Sequence, residues 1–275
     1  VPIACSRVPT LKDLDAYLAR IGHDGPVTLA GLHRSHATSI PFENFESSAG
    51  RAVSLEPSHL EEKLVARRRG GYCFEQNLLF MAALQTLDYE VHPLLARVRN
   101  GARESPMALN HLLLRVVERG EAWLADVGFG GGGLLGPMPF RAGAEGDQAG
   151  WRYQVVEDAA ELVLQVHQDG DWSDMYGFVP EPALMVDIEV ANWYTSTHPT
   201  SPFVTGVIAG IRLDDRCLTF VQFDEPSIVE RQVGKSATTS PVSRSDVPEL
   251  FERRFGIPGV EMNAEGRPVL GSASA

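Results

Sequence analysis

Leu11, Leu14, Leu18 and Ile21 recur at helical spacing. They predict a first amphipathic helix, capped by Thr10 with Asp13 in its first turn. Gly22, Gly25 and Pro26 close it. A second short helix is predicted from Thr28 to about His36. Pro41-Phe42-Glu43-Asn44-Phe45 then reads as a loop with two aromatics. A third helix is predicted over roughly residues 56–68, with Pro57 at a permitted first-turn position. The basic run Arg67-Arg68-Arg69 ends it, and Gly70-Gly71 breaks the pattern. A fourth helix is predicted over residues 73–87, with Leu79, Phe80, Ala83 and Leu84 as its apolar stripe. The first ninety or so residues therefore read as mostly helical.

The period then changes from helical spacing to short runs rich in Val, Leu and Trp. Residues 94–99, 111–118, 122–127, 151–157 and 161–167 are predicted strands. Glu118-Arg119-Gly120-Glu121 and Asp169-Gly170-Asp171 supply turns. This middle third predicts an antiparallel sheet or barrel. Beyond Trp193 the pattern is mixed, with strands at 205–213 and 217–224 and a helix over 245–255 ending at Gly256. The last dozen residues, ending Gly271-Ser272-Ala273-Ser274-Ala275, read as a loose tail.

The candidate chemistry starts at Arg69-Gly70-Gly71-Tyr72-Cys73-Phe74-Glu75-Gln76-Asn77. Cys73 falls in the first turn of a predicted helix. Unpaired N–H groups and the helix dipole there favour a thiolate. The glycine pair lets another backbone or a ligand approach the sulfur. A buried structural cysteine fits the same position. A nucleophile needs a base, and the base an orienting group. Of eight histidines, His33 and His36 share a helix face and read as a surface pair rather than a metal site. His23, His59, His92 and His167 read as solvated, and His198 as a residue of a polar loop.

His111 opens an apolar strand, and Asp126 closes its predicted partner between Ala125 and Val127. A charged residue there calls for a partner. If Arg119-Gly120 is a two-residue hairpin loop, Glu118 faces Glu121 and Asp126 faces Leu113. His111 and Asp126 are then diagonal neighbours on one face. A three-residue loop would put them on opposite faces. Gly128, Gly130, Gly131, Gly132 and Gly133 follow, without the Gly-Lys-Ser/Thr of a phosphate loop. They fit either a flexible turn or close backbone approach to a ligand.

Composition narrows the field. The 275 residues are 44% hydrophobic and 22% charged, with a net charge of −12. That disfavours nucleic-acid and anionic-membrane partners. Cys5, Cys73 and Cys217 are odd in number, widely spaced and without a CxxC. They predict a reducing, cytoplasmic setting and no metal site. Val1-Pro2-Ile3-Ala4-Cys5 is not read as a signal peptide.

Arg69-Gly-Gly-Tyr-Cys73-Phe-Glu-Gln-Asn77, Pro41-Phe42-Glu43-Asn44, Asn110-His111-Leu-Leu-Leu, Asp126-Val-Gly-Phe129-Gly130 and Ser196-Thr197-His198-Pro199 with Ser201-Pro202-Phe203 together resemble the bacterial arylamine N-acetyltransferases, in order and spacing. The resemblance spans roughly residues 10–260. It implies an α+β fold: an N-terminal helical bundle (1–90), a central antiparallel β-barrel (91–195) and a C-terminal α/β lid (196–275), with a cysteine-protease-like triad. It implies Cys73 as nucleophile, His111 as base and Asp126 as orienter. Phe42, Tyr72, Phe129 and Phe203 would line the acyl and arylamine pocket. Val98, Asn110, Gly128, Gly130 and Gly131 would lie along coenzyme A. The co-substrate would be acetyl-CoA, the acceptor a small aromatic amine or hydrazine, and the enzyme a monomer or homodimer. Two departures stand out: Asn110 occupies a position where the family commonly has Thr, and no Trp follows Trp193.

The implied chemistry is two-step acyl transfer through a Cys73 thioester. The rival readings are an amide synthase of a macrolactam pathway, a cysteine hydrolase, and a binding module with an inert Cys73.

Overall fold

The computed structural model describes residues 10–99 and 108–271. Cys5 lies outside them. Helices Leu14–Arg20 and Leu29–Ser39 pack with the continuous Pro57–Leu60 and Glu61–Ala66 segments around the helix Cys73–Thr86. Asp13, not Thr10, caps the first helix, accepting the Ala16 N–H at 2.8 Å. Thr28, where the second helix is predicted to start, is its N-cap, and the helix runs on past His36 to Ser39.

Every residue from Cys73 to Leu84 is buried. A helix apolar on all sides belongs at the centre of a domain. The three polar residues of that buried stretch, Glu75, Gln76 and Asn77, must therefore find partners inside the protein. Glu75 takes Lys63 at 2.6 Å, and its other oxygen accepts the Tyr72 N–H at 3.0 Å. Gln76 donates to the carbonyls of Gly71 and Pro41. Asn77 donates to Leu112 O and to Asp126. These bonds lock the helix start to its surroundings.

The loop predicted at residues 41–45 is instead a strand, Phe42–Glu43, followed by the short helix Phe45–Ser48. Two residues are too few to show an alternating pattern. Phe42 also bridges to Gly71. A side chain on Gly70 would stand 2.3 Å from Pro41 O, which is why only glycine fits there.

Eight antiparallel strands form the second layer. Their spatial order is Met138–Pro139, Glu121–Ala125, His111–Glu118, Glu90–Val98, Asp171–Phe178, Glu161–Gln168, Trp151–Asp158 and Ala144–Gln148. The two edge strands meet and nearly close a barrel. Gln148, at the end of one edge strand, bonds the Leu135 and Gly136 N–H groups and the Gly136 carbonyl in the segment leading into the other. Glu118 pairs with Glu121. Arg119 and Gly120 both take positive φ, 53° and 82°, as a two-residue primed turn demands. The parity on which His111 and Asp126 depend is thus the one predicted.

A second, five-stranded antiparallel sheet runs Phe42–Glu43, Val207–Arg212, Arg216–Gln222, Ser227–Gln232 and Thr238–Pro241. Its first strand comes from the helical region, so the sheet is anchored beside Cys73. The segment Val247–Leu250 and Phe251–Phe255 covers it, with Phe251 against Phe45 and Phe220. The predicted loose tail is partly ordered: Pro268–Leu270 pairs with Val260–Met262. The helix Met185–Thr197 was not expected from the sequence.

Candidate active site

Cys73 is the first residue of its helix and is 3% exposed. His111 is the first residue of its strand. Its Nε2 lies 2.8 Å from Asp126 Oδ2, and Cys73 and His111 line the same cleft, near enough for Cys73 to help raise the imidazole. The carboxylate occupies Nε2, which leaves Nδ1 as the ring nitrogen that Asp126 does not engage. Cys73 Sγ also lies 3.7 Å from the carbonyl of Asn110.

Asp126 is buried, and each of its oxygens is used. Oδ2 faces His111, while Oδ1 accepts from Asn77 Nδ2 at 2.9 Å and from the Gly128 N–H at 2.9 Å. Asn77 Oδ1 in turn accepts the Val127 N–H at 3.1 Å. Burial alone would raise the Asp126 carboxyl, but the charge of His111 and these donors hold it below the usual range. Burial likewise opposes protonation of His111. The Asp126 charge and hydrogen bond, aided by Cys73, overcome it and raise the imidazole to about 10. The ring is fixed by Tyr176 at 4.8 Å and by Phe129 edge-on at 5.3 Å.

A cleft of about 450 Å³ opens over these groups. Phe42, Phe129 and Phe203 line it, as do Val98, Asn110, Gly128, Gly130 and Gly131. Tyr72 stands behind the wall, fully buried, with its hydroxyl on Asn192 and its ring against Phe203 and Phe74. Phe223, not singled out in the sequence, joins the lining.

The glycine run has two kinds of member. A Cβ on Gly128 would stand 2.8 Å from Cys73 Cα, and one on Gly131 would stand 2.6 Å from Leu218 O. These two let the barrel approach the Cys73 helix and the five-stranded sheet. Gly132 has nothing nearer than 4.0 Å.

Below the site, charges are buried in pairs. Lys63 bridges Glu75 at 2.6 Å and Glu46 at 3.0 Å, and Arg69 meets Glu43 at 2.8 Å. They hold the turn that presents Cys73.

His33 and His36 are not a surface pair. Both are fully buried. His33 Nε2 accepts the Asp126 N–H at 3.1 Å, and His36 Nδ1 bonds Tyr17 at 2.8 Å. Their helix is covered on the face that bears them, with Phe80 edge-on to both rings. His198 stacks on Tyr194 at 4.4 Å. Among the described residues, no group of three or more His, Cys, Asp or Glu is placed to hold a metal. No helix among them is long and apolar enough to cross a membrane.

The arrangement can activate a thiol, orient an imidazole and enclose an aromatic ligand. A family model described as N-acetyltransferase matches residues 27–263. An arylamine N-acetyltransferase of Mycolicibacterium smegmatis is 39% identical over 74% of this chain and 78% of its own length. The solved structure of the Mycobacterium tuberculosis arylamine N-acetyltransferase superposes with a TM-score of 0.84 at 35% identity, covering 89% of this chain and 94% of that one. That of the Mycobacterium marinum enzyme in complex with CoA gives 0.83 at 34% identity, covering 89% and 93%.

Proposed function

The chain belongs to the arylamine N-acetyltransferase family, and we propose that it carries an acetyl group from acetyl-CoA to an arylamine or arylhydrazine as a thioester on Cys73. The observation that supports this reading is the convergence of Cys73 and a His111 held by Asp126 at 2.8 Å on one aromatic-lined cleft.

The Cys73 thiolate, with the His111 imidazolium as its counter-ion, attacks the acetyl carbonyl. Helix geometry leaves the first-turn N–H groups of Cys73–Thr86 without intrahelical partners, so they are available as donors for the developing oxyanion. The C–S bond to coenzyme A breaks, and the departing thiolate takes the imidazolium proton. An arylamine is neutral at pH 7 and attacks the acetyl-enzyme through its nitrogen lone pair. His111 takes the amine proton as the Cys73 thiolate leaves, which restores the starting pair. Asp126 keeps the imidazole in one tautomer and orientation.

Phe42 and Phe203, with ring centroids 5.9 Å apart, present the apolar faces a planar acceptor needs. The glycine-lined side of the cleft, with Val98 and Asn110, would carry the pantetheine arm of coenzyme A.

Initial rates against both substrates test the scheme. Parallel double-reciprocal lines, and acetyl-CoA consumption that depends on the arylamine, are expected. Intersecting lines would contradict a covalent carrier. Amine-independent hydrolysis at the full rate would favour a hydrolase.

A further inference from the structure

The amide of Asp126 needs an acceptor that its own sheet does not provide. The ladder between His111–Glu118 and Glu121–Ala125 ends at the pair Leu114 and Ala125, one residue short of it. Asp126 is buried, so an unpaired N–H there would be costly. His33, from the helix Leu29–Ser39, supplies the acceptor at 3.1 Å.

An accepting Nε2 carries no proton, so the ring is neutral and its proton sits on Nδ1. Burial, partly offset by the Asp126 charge, holds His33 down at about 4, in keeping with that form. The charge state matters. A cation here would compete with His111 for Asp126, and a carboxylate would repel it. A neutral acceptor fixes the main chain of Asp126 and leaves its charge to His111. The two carboxylate oxygens are already held by His111, Asn77 and Gly128.

We infer that His33 is a positioning residue of the acetyl-transfer reaction, a neutral hydrogen-bond acceptor that sets the aim of Asp126 at His111 from outside the triad. It rests on the Cys73–His111–Asp126 reading.

The test compares His33→Leu, which removes the acceptor, with His33→Gln, whose Oε1 can reach the same N–H. The readouts are the single-turnover rate of Cys73 acetylation at saturating acetyl-CoA, the KM for acetyl-CoA, and the ratio of Cys73 alkylation rates at about pH 6 and pH 8. His33→Leu should slow acetylation about tenfold or more, shift KM by less than about twofold, and lower the pH 6 to pH 8 ratio. His33→Gln should recover most of the rate. A leucine variant with the wild-type rate and ratio overturns the inference, as does a glutamine variant as slow as leucine.

Should His33→Leu not fold, nitrogen NMR of the histidine-labelled wild-type enzyme decides. The neutral Nδ1–H tautomer of His33 is expected at about pH 7, and an imidazolium or an Nε2–H tautomer contradicts it. If the wild-type enzyme forms no acetyl adduct on Cys73, the triad reading itself fails. If it does and the His33 variants are indifferent, only this inference fails.

Discussion

Gly128→Ala would add one methyl group where the barrel touches the Cys73 helix. The new Cβ would stand 2.7 Å from Asn77 Nδ2, 2.8 Å from Cys73 Cα and 3.0 Å from Cys73 O. Ordinary contact begins at 3.4 Å, so the shortfall reaches 0.7 Å (3.4 less 2.7). None of the three atoms can yield cheaply. Asn77 is held by Leu112 O at 2.7 Å and by Asp126 at 2.9 Å, and the other two are backbone at the start of a buried helix. Gly128 is not in the left-handed region, so the cost is steric alone. Overpacking of this kind costs about 1–3 kcal/mol. In a chain of this size that lowers Tm by about 2–12 °C. The strand and helix must separate, and His111 and Asp126 move from Cys73 with them. A displacement of about 1 Å lowers the rate about a hundredfold. Thermal unfolding and single-turnover acetylation read the two effects. Gly132→Ala, with open space around it, should leave Tm unchanged. A Gly128→Ala enzyme with the wild-type Tm and a rate within about twofold would refute the reasoning.

Asp126→Asn should lower acetylation about a thousandfold or more, because an amide neither stabilises the imidazolium nor enforces the right tautomer. The same variant reports pH dependence. Asp126 has a lowered folded pKa, so its contribution to stability is full above the ordinary carboxylate value and is lost as pH falls through the folded one. His111 is raised to about 10, so its contribution is full below about 6.5 and is lost as pH rises through about 10. The Tm difference between wild type and Asp126→Asn should therefore be widest at about pH 4–6.5 and narrow on both sides. A difference that grows above pH 8 would contradict it. Lys63→Met would leave Glu75 buried without its counter-charge and should destabilise by about 3–5 kcal/mol, measured by urea unfolding. A loss below about 1 kcal/mol would mean that Glu75 is satisfied by other groups.

The geometry around the candidate site is legible in the sequence where local rules decide it. Arg119-Gly120 set a two-residue turn, and the turn set the face shared by His111 and Asp126. Gly70-Gly71 before Cys73 marked the helix start. The sequence concealed what depends on distant packing. His33 and His36 looked solvated because helical periodicity does not say which face is covered, and here Phe80 and Asp126 cover them. The helix Met185–Thr197 gave no clear stripe because Val186, Val190 and Trp193 face solvent, each 58% or more exposed. Tyr176, which packs at a tilt against His111, lies on the strand Asp171–Phe178. Its opening Asp-Trp-Ser-Asp breaks the alternating pattern, and only Asp171 falls in a turn signal, Asp169-Gly170-Asp171.

The most direct test mixes the enzyme with acetyl-CoA, removes free nucleotide and weighs the protein before and after adding an arylamine. A gain of about 42 Da on the peptide bearing Cys73, lost on amine addition with formation of the acetylated amine, is the predicted result. No adduct, an adduct on another residue, or an adduct that the amine leaves in place would contradict the account.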